Sequence, residues 1–283
     1  MENKKIKIGF WGGHEYSVIT AQKLHDASFT ISFIVTSLDQ PKGRNLLLTP
    51  SPLKVWGLEH GIPIIQPEKL KDENFIRTLK DYTCDIFIVM AYGRIMPEEI
   101  LGLPKSRSLN LHPSLLPKFR GPCPIESAIL ADDRDTGVTI MLMDKEMDHG
   151  PIVAQEKVAI PEWPPFAKEL GEKLVTAGAD LLVSILPDWI AGKIPAEEQD
   201  HAQATYTKKI KKEDGLIDLA DDSPAEARAN YLKYKAYQGW PSVYFLKDGK
   251  RIKISQASFE NKKFTIEKVI PQGKPEMLYT DLR

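Results

Sequence analysis

The chain has 283 residues, 42% of them apolar and 27% charged, enough apolar side chain for a full core and too much for a disordered chain. No run approaches the roughly 18 apolar residues of a membrane span, and the start MENKKIKIGFWGG is unlike a secretory leader. A cytoplasmic protein with no membrane attachment is expected. Cys84 and Cys123 are the two cysteines, in unrelated apolar contexts, which argues against a disulfide framework and a CxxC metal site. The formal charge of −1 conceals an asymmetry: of 38 Lys/Arg and 39 Asp/Glu, Thr205–Arg283 holds 16 and 11, leaving 22 and 28 for the rest. A basic tail behind an acidic front is compatible with contact to a polyanion.

In chain order, Ile6 to Trp11 reads as a strand, broken at Gly12-Gly13 before a helical stretch through Ala21 and Leu24. Phe29 to Val35 reads as a second strand. A helix capped by Ser51 is predicted over 52–60, and another over 74–80. Cys84 to Met90 is nearly continuously apolar, as suits a strand buried on both faces of a parallel sheet. This alternation predicts an α/β fold with an open, doubly wound, mostly parallel sheet, whose ligands bind beyond the carboxyl ends of its strands. From Phe166 the stripe Leu170, Leu174, Ala177, Leu181, Ile185 predicts a helix ending near Pro187. The polar stretch from Gly192 then reads as a linker. The expected division is a first domain over 1–191, a linker over 192–207, and a small, mainly β domain over 208–283, with a helix through 225–234 and short strands at 243–246 and 251–255.

Asn110 and His112 stand two residues apart at the end of a strand that Pro113 interrupts, so their side chains point the same way. Asp148 follows in the turn-like MDKEMDHGP. An amide, an imidazole and a carboxylate are what acyl transfer to an amine requires. The amine must lose a proton while the carbonyl oxygen gains charge, and a donor placed there contributes about 2.7 to 4 kcal/mol. Taken alone, an Asn, His or Asp at a strand end is more often a turn, a cap or a satisfied polar group. GxSxG is absent, so direct attack by the amine is easier to support than a covalent enzyme intermediate.

From Asn110 the segment NLHPSLLPKFRGPCPIESAI resembles the SLLPxxRGxxP signature of the 10-formyltetrahydrofolate-dependent formyltransferases, and DTGVTIMLMDKEMDHGPIVAQ from Asp135 resembles their aspartate-containing loop. The resemblance implies a Rossmann-like catalytic domain with Asn110, His112 and Asp148 as its catalytic residues. Asn110 would orient the formyl group, His112 would donate to its oxygen, and Asp148 would hold the imidazole protonated and help take the amine proton. It further implies a reduced-folate site drawn from Met90, Ala91, Tyr92, Gly93, Ile95 and Pro97 after one strand, from Ser114, Leu115, Leu116 and Pro117 in the signature loop, and from Val138 and Asp144 in the approach to Asp148. The co-substrate implied is 10-formyltetrahydrofolate. No metal is expected, because the histidines show no HxxxH spacing.

The flanking sequence selects the acceptor. QPKGRNLLLTPSPLK from Gln40 resembles the loop that methionyl-tRNA formyltransferases insert near the acceptor stem, with Arg44 on the RNA-contacting position. ATYTKKIKKEDGLID, GWPSVYFLKDGKRIKI and VIPQGKPEM resemble successive pieces of their tRNA-binding tail. Initiator methionyl-tRNA is therefore the expected partner, with Gly12, Tyr16, Arg44, Arg120, Lys208, Lys209, Lys211 and Lys212 on the acceptor side and a monomer as the expected state. The alternative acceptor is an amino sugar on a nucleotide carrier. Three departures stand out: Gly13-His14 replaces Thr-Pro, Leu46 and Leu47 replace lysines, and about two dozen residues, or two to three strands, are missing between Ile254 and Phe264. A reduced, β-barrel-like tail domain is expected.

Overall fold

The computed structural model of the chain describes residues 3–42, 46–221 and 223–282. Arg44 lies outside the described residues. The chain divides into two compact units: one of residues 1–121, 137–158 and 172–206, the other of residues 122–136, 159–171 and 207–283.

The first unit opens with β1 (Lys7–Gly12), α1 (Glu15–Asp26) and β2 (Thr30–Val35), followed by the small hairpin β3 (Gln40–Lys42) and β4 (Leu47–Thr49). Next come α2 (Pro52–Glu59), β5 (Ile64–Ile65), α3 (Glu73–Asp81), β6 (Ile86–Met90), α4 (Glu98–Leu101) and β7 (Ser108–His112). Ser51 accepts from Lys54 N and Asp72 from Phe75 N, so both predicted helices start on capping side chains. Between β7 and the next strand lies α5 (Pro124–Leu130), which belongs to the second unit. Then β8 (Gly137–Leu142) and β9 (Ile152–Lys157) return as antiparallel strands.

The sheet runs β5-β2-β1-β6-β7-β8-β9, parallel from β5 through β7. Alternation puts Ile8 and Phe10 of β1 into one buried cluster with Leu24, Ile88 and Val175, and Trp11 into the other with Phe33, Phe87 and Leu79. Helices thus cover both faces, as the continuous apolar run of β6 requires. Helix α6 (Ala167–Ile190) passes from the second unit into the first, and it runs beyond Pro187, where the sequence predicts its end. A proline removes one amide without forcing the chain out of a last turn. Here Ala191 N still donates to Pro187 O at 3.1 Å, and Trp189 Nε1 pins that turn to Ser106 O at 3.1 Å.

Of residues 192–207, expected as a linker, 192–206 belong to the first unit and are fastened to it. Ile152 and Glu197 exchange backbone hydrogen bonds of 2.7 and 2.8 Å, and Arg120 N donates to Thr205 O at 2.9 Å.

In the second unit α7 (Pro224–Ala236) packs on α5 and on a four-stranded antiparallel sheet, β10 (Tyr244–Lys247), β11 (Lys250–Glu260), β12 (Lys263–Pro271) and β13 (Met277–Leu278), in that order. Arg228 of α7 grips Asp132 with Nε and Nη2 at 3.1 and 2.7 Å, and Trp163 Nε1 donates to the same carboxylate at 2.7 Å. Both residues hold the Asp132 carboxyl below the usual carboxylate range, Arg228 foremost. Where the missing strands were expected, β11 and β12 join through Asn261 and Lys262 alone, at φ 51° and 62°. That is the left-handed two-residue turn whose twist matches a hairpin. The sheet is therefore an open one among the described residues, consistent with a reduced barrel.

Candidate active site

The carboxyl ends of β1, β6 and β7 meet at one edge of the sheet. Ser17 ties the first two together: its Oγ accepts from Gly13 N and His14 N at 3.1 and 3.2 Å and donates to Met90 O at 2.6 Å. Gly12 is required there, since a Cβ would stand 2.6 Å from Met90 O. His14 takes over the capping of α1, accepting from Tyr16 N at 3.3 Å.

Asn110 and His112 project from β7 on one side, as their spacing predicts. The turn between β8 and β9 carries Asp148 to them. Asn110 Nδ2 lies 3.5 Å from Asp148 Oδ1, and His112 Nδ1 lies 3.6 Å from Oδ2. The carboxylate also accepts from Gly121 N at 2.7 Å. The other ring nitrogen of His112, Nε2, faces Phe119 O at 3.0 Å. Both imidazole nitrogens thus face oxygen atoms. His112 is 4% exposed, so these contacts operate with little competition from water. Asp148 itself sits at φ 52°, a conformation that the neighbouring structure must hold in place.

The signature loop wraps around this group. Thr139 Oγ1 donates to Ser114 O at 2.7 Å and accepts from Leu116 N at 3.1 Å, while Gln155 Nε2 reaches both Leu116 O and Thr139 Oγ1 at 2.9 Å. Ser114 Oγ donates to Lys118 O at 2.7 Å. Ser114 and Leu116 are buried, and Leu115 and Pro117 half-buried. Thr139 and Gln155 carry no motif that would single them out in the sequence.

Of the residues expected around the folate, Met90, Tyr92 and Val138 are buried core side chains, whereas Ala91, Gly93 and Ile95 are exposed. Ala91 and Gly93 turn the chain at φ 49° and 77° as β6 ends, and Pro97 precedes α4. An exposed Ile95 beside a polar loop backbone fits a flat heterocycle with hydrogen-bonding edges. Asp144 Oδ2 lies 2.7 Å from His149 Nδ1.

Arg120, expected on the acceptor side, is 1% exposed. Its guanidinium donates to Gln199 Oε1, His201 Nδ1 and Tyr206 Oη. Gln199 was not singled out by any sequence signal. Lys208, Lys209, Lys211 and Lys212, in the second unit, are exposed. In the first unit Leu46, Leu47 and Leu48 are exposed as well, at 71, 67 and 72%. Gly12 is buried and Tyr16 half-buried. Among the described residues no group of three or more His, Cys, Asp or Glu could hold a metal ion, and no helix is long and apolar enough to cross a membrane.

Comparison with known proteins places this geometry. Residues 12–186 match the family model described as formyl transferase, and residues 209–279 match the formyl transferase C-terminal domain. A methionyl-tRNA formyltransferase of Chloroflexus aggregans is 43% identical over 255 residues, covering 89% of this chain and 80% of its own. Among solved structures, a sugar N-formyltransferase of a Shewanella species superposes with a TM-score of 0.67 at 20% identity, over 89% of this chain and 97% of its own. HypX of Aquifex aeolicus in complex with tetrahydrofolic acid superposes with a TM-score of 0.68 at 15% identity, over 97% of this chain and 46% of its own. At these identities the two structures share the fold.

Proposed function

This chain belongs to the formyl transferase family, within which it groups with the methionyl-tRNA formyltransferases, and from that premise we propose that it moves the formyl group of 10-formyltetrahydrofolate onto the amino group of methionine carried by initiator tRNA. The observation that carries this reading is the extent of the likeness: 43% identity along 255 residues, joined to a matching C-terminal domain. A likeness confined to the catalytic fold would leave the amino-sugar acceptor equally open.

The three polar side chains suit the chemistry. The acceptor nitrogen bonds to the formyl carbon, the carbonyl oxygen becomes an alkoxide, and the adduct collapses by breaking the bond from carbon to the folate nitrogen. His112 donates to the developing oxyanion and Asn110 aligns the formyl oxygen. Asp148 stabilises the imidazolium and accepts, directly or through a water, the proton that the amine loses. That proton is then available to the departing folate nitrogen, so the step balances without another reactant. The buried setting strengthens each of these interactions.

On the acceptor side, Lys208, Lys209, Lys211 and Lys212 and the basic tail meet the phosphates of the tRNA, and Arg44 adds a contact from its loop. Arg120 acts inside the protein. Each neutralised duplex phosphate adds a slope of about −0.9 to log affinity against log salt, so three or four contacts predict a slope of roughly −3. The test uses the whole chain: rates with methionyl-tRNA and with a nucleotide-linked amino sugar, each with 10-formyltetrahydrofolate, and tRNA binding across salt concentrations. Faster transfer to the sugar, or salt-independent tRNA binding, would replace this acceptor with the other.

A further inference from the structure

Asp148 adopts a left-handed backbone at φ 52°, which costs a non-glycine residue free energy unless its surroundings fix it. Two residues on, Gly150 packs so closely on β8 that only glycine fits, since a Cβ there would collide with Leu142 O. What holds this turn is a side chain from about fifty residues further along the chain. Gln199 Nε2 donates to Asp148 O at 3.0 Å and to Gly150 O at 2.7 Å. Its Oε1 accepts from Arg120 Nε and Nη2 at 3.1 and 2.7 Å. The amide is 4% exposed, and its two hydrogens and its oxygen are all engaged.

We infer that Gln199 is a positioning residue for Asp148, fixing the carboxylate through the backbone of residues 148–150, and that Arg120 holds Gln199 in that role. The inference rests on the catalytic reading of Asp148 given above. The side chain required is specific: it must accept from a cation at one atom and donate to two carbonyls at the other, which neither a carboxylate nor a thioether of the same length can do. Arg120 is itself oriented from the same segment. Its Nη2 lies 2.8 Å from His201 Nδ1 and its Nη1 3.2 Å from Tyr206 Oη. Because arginine only donates, the His201 nitrogen accepts. The backbone of this segment is tied down on both sides, to Ile152 at Glu197 and to Pro117 and Arg120 at Thr205. Arg120 is one residue from Gly121, whose amide holds Asp148 Oδ2. Asp148 is therefore gripped at its side chain by the signature loop and at its backbone by Gln199, which Arg120 holds.

The test compares Gln199→Met, Gln199→Glu, His201→Ala and Asp148→Asn in the full chain, measuring kcat and KM for 10-formyltetrahydrofolate and methionyl-tRNA, the pH-rate profile and the melting temperature. Displacing a reacting group by an ångström costs up to about 100-fold. Both Gln199 variants are expected to lose about 10- to 100-fold in kcat with both KM values unchanged, and the pH-rate profile should shift as the pair His112 and Asp148 loosens. Gln199→Glu keeps an acceptor for Arg120 but no donor for the carbonyls, so it should be as slow as Gln199→Met. Recovery of wild-type kcat in Gln199→Glu would assign Gln199 the sole task of accepting from Arg120 and overturn the inference. So would a lowered melting temperature with full kcat in the folded fraction. His201→Ala removes a partner of Arg120 and a half-exposed ring stacked on His149, and it tests the arrangement even if the Gln199 variants do not fold: a smaller fall in kcat, again at constant KM, is expected, and an unchanged kcat overturns the inference. Asp148→Asn separates the two layers. If it is inactive while the Gln199 variants are not impaired, the positioning role fails alone; if it turns over normally, the catalytic reading beneath it fails.

Discussion

Gly121 donates its amide to Oδ2 of Asp148 at 2.7 Å, while the ring of His112 stands 3.6 Å from the same oxygen. The shorter contact belongs to the backbone and not to His112. A carboxylate with a fixed backbone donor keeps its orientation when a neighbouring ring moves, so under the proposed mechanism Asp148 would stay in place while His112 serves the substrate.

Replacing either member of the pair should stop the chemistry and spare the fold. His112→Ala and Asp148→Asn are each expected to lower formyl transfer by about 100- to 10,000-fold, the range for one positioned acid or base. Turnover under saturating donor and acceptor, paired with thermal unfolding, measures both effects. A near-normal rate in either variant would remove it from the catalytic group.

Formyl transfer through hydrogen-bond donors and a carboxylate has no step that calls for a cation. Rates should be the same before and after exhaustive chelation with EDTA. A loss that zinc restores would mean that a metal polarises the carbonyl, a role a Lewis acid can fill as well as an imidazolium can.

Glu126 of α5 is half-buried, and burial pushes its carboxyl above the ordinary range. A folded-state acid with a raised pKa binds its proton more tightly than the unfolded chain does. The penalty is therefore absent below the unfolded pKa, grows as pH rises through the interval between the two, and is complete above the folded value. Glu126→Gln should raise the melting temperature at about pH 7 and leave it unchanged near pH 4. Equal shifts at both pH values would trace the gain to packing and not to ionisation.

Asn261 and Lys262 close the β11–β12 hairpin with positive φ. Asparagine tolerates that region, whereas lysine is strained there by about 1–2 kcal/mol, against about 0.5–1 kcal/mol of added backbone entropy for glycine. Lys262→Gly should thus stabilise the chain by about 0.5–1 kcal/mol in chemical denaturation. Destabilisation would show that the lysine side chain makes a compensating contact.

The parts of this molecule written in local pattern were legible in the sequence. The continuous apolar run ending at Met90 located a central strand, and the two-residue spacing of Asn110 and His112 gave their shared direction. Residues whose role depends on distant partners were not legible. Nothing near Asp148 announces that β8 and β9 turn antiparallel and return it to β7, and in the sequence only family resemblance joins it to Asn110 and His112. Arg120 reads as a surface cation until residues 199–206 cover it, and Gln199 lies in a polar run, EEQDHAQAT, that resembles a tether. Burial of a polar residue by a distant segment leaves no periodicity behind. Pro187 misled in the other direction, because a helix-breaking residue near a helix end has little helix left to break.

The second compact unit is stitched from three stretches of chain, 122–136, 159–171 and 207–283. During synthesis the first two leave the ribosome well before the third exists. Asp132 and Trp163 must wait for Arg228, and Phe166 for the Lys235 ammonium that sits 3.9 Å over its ring. Their apolar neighbours in α5 stay uncovered until translation is nearly finished, a window in which chaperones can bind and nascent chains can associate. The same interleaving means that a stop codon shortly after residue 206 would not deliver a catalytic unit without its tail. It would leave α5 and the start of α6 with their partners missing, so nonsense mutations late in the gene should behave as folding defects and not as losses of tRNA affinity.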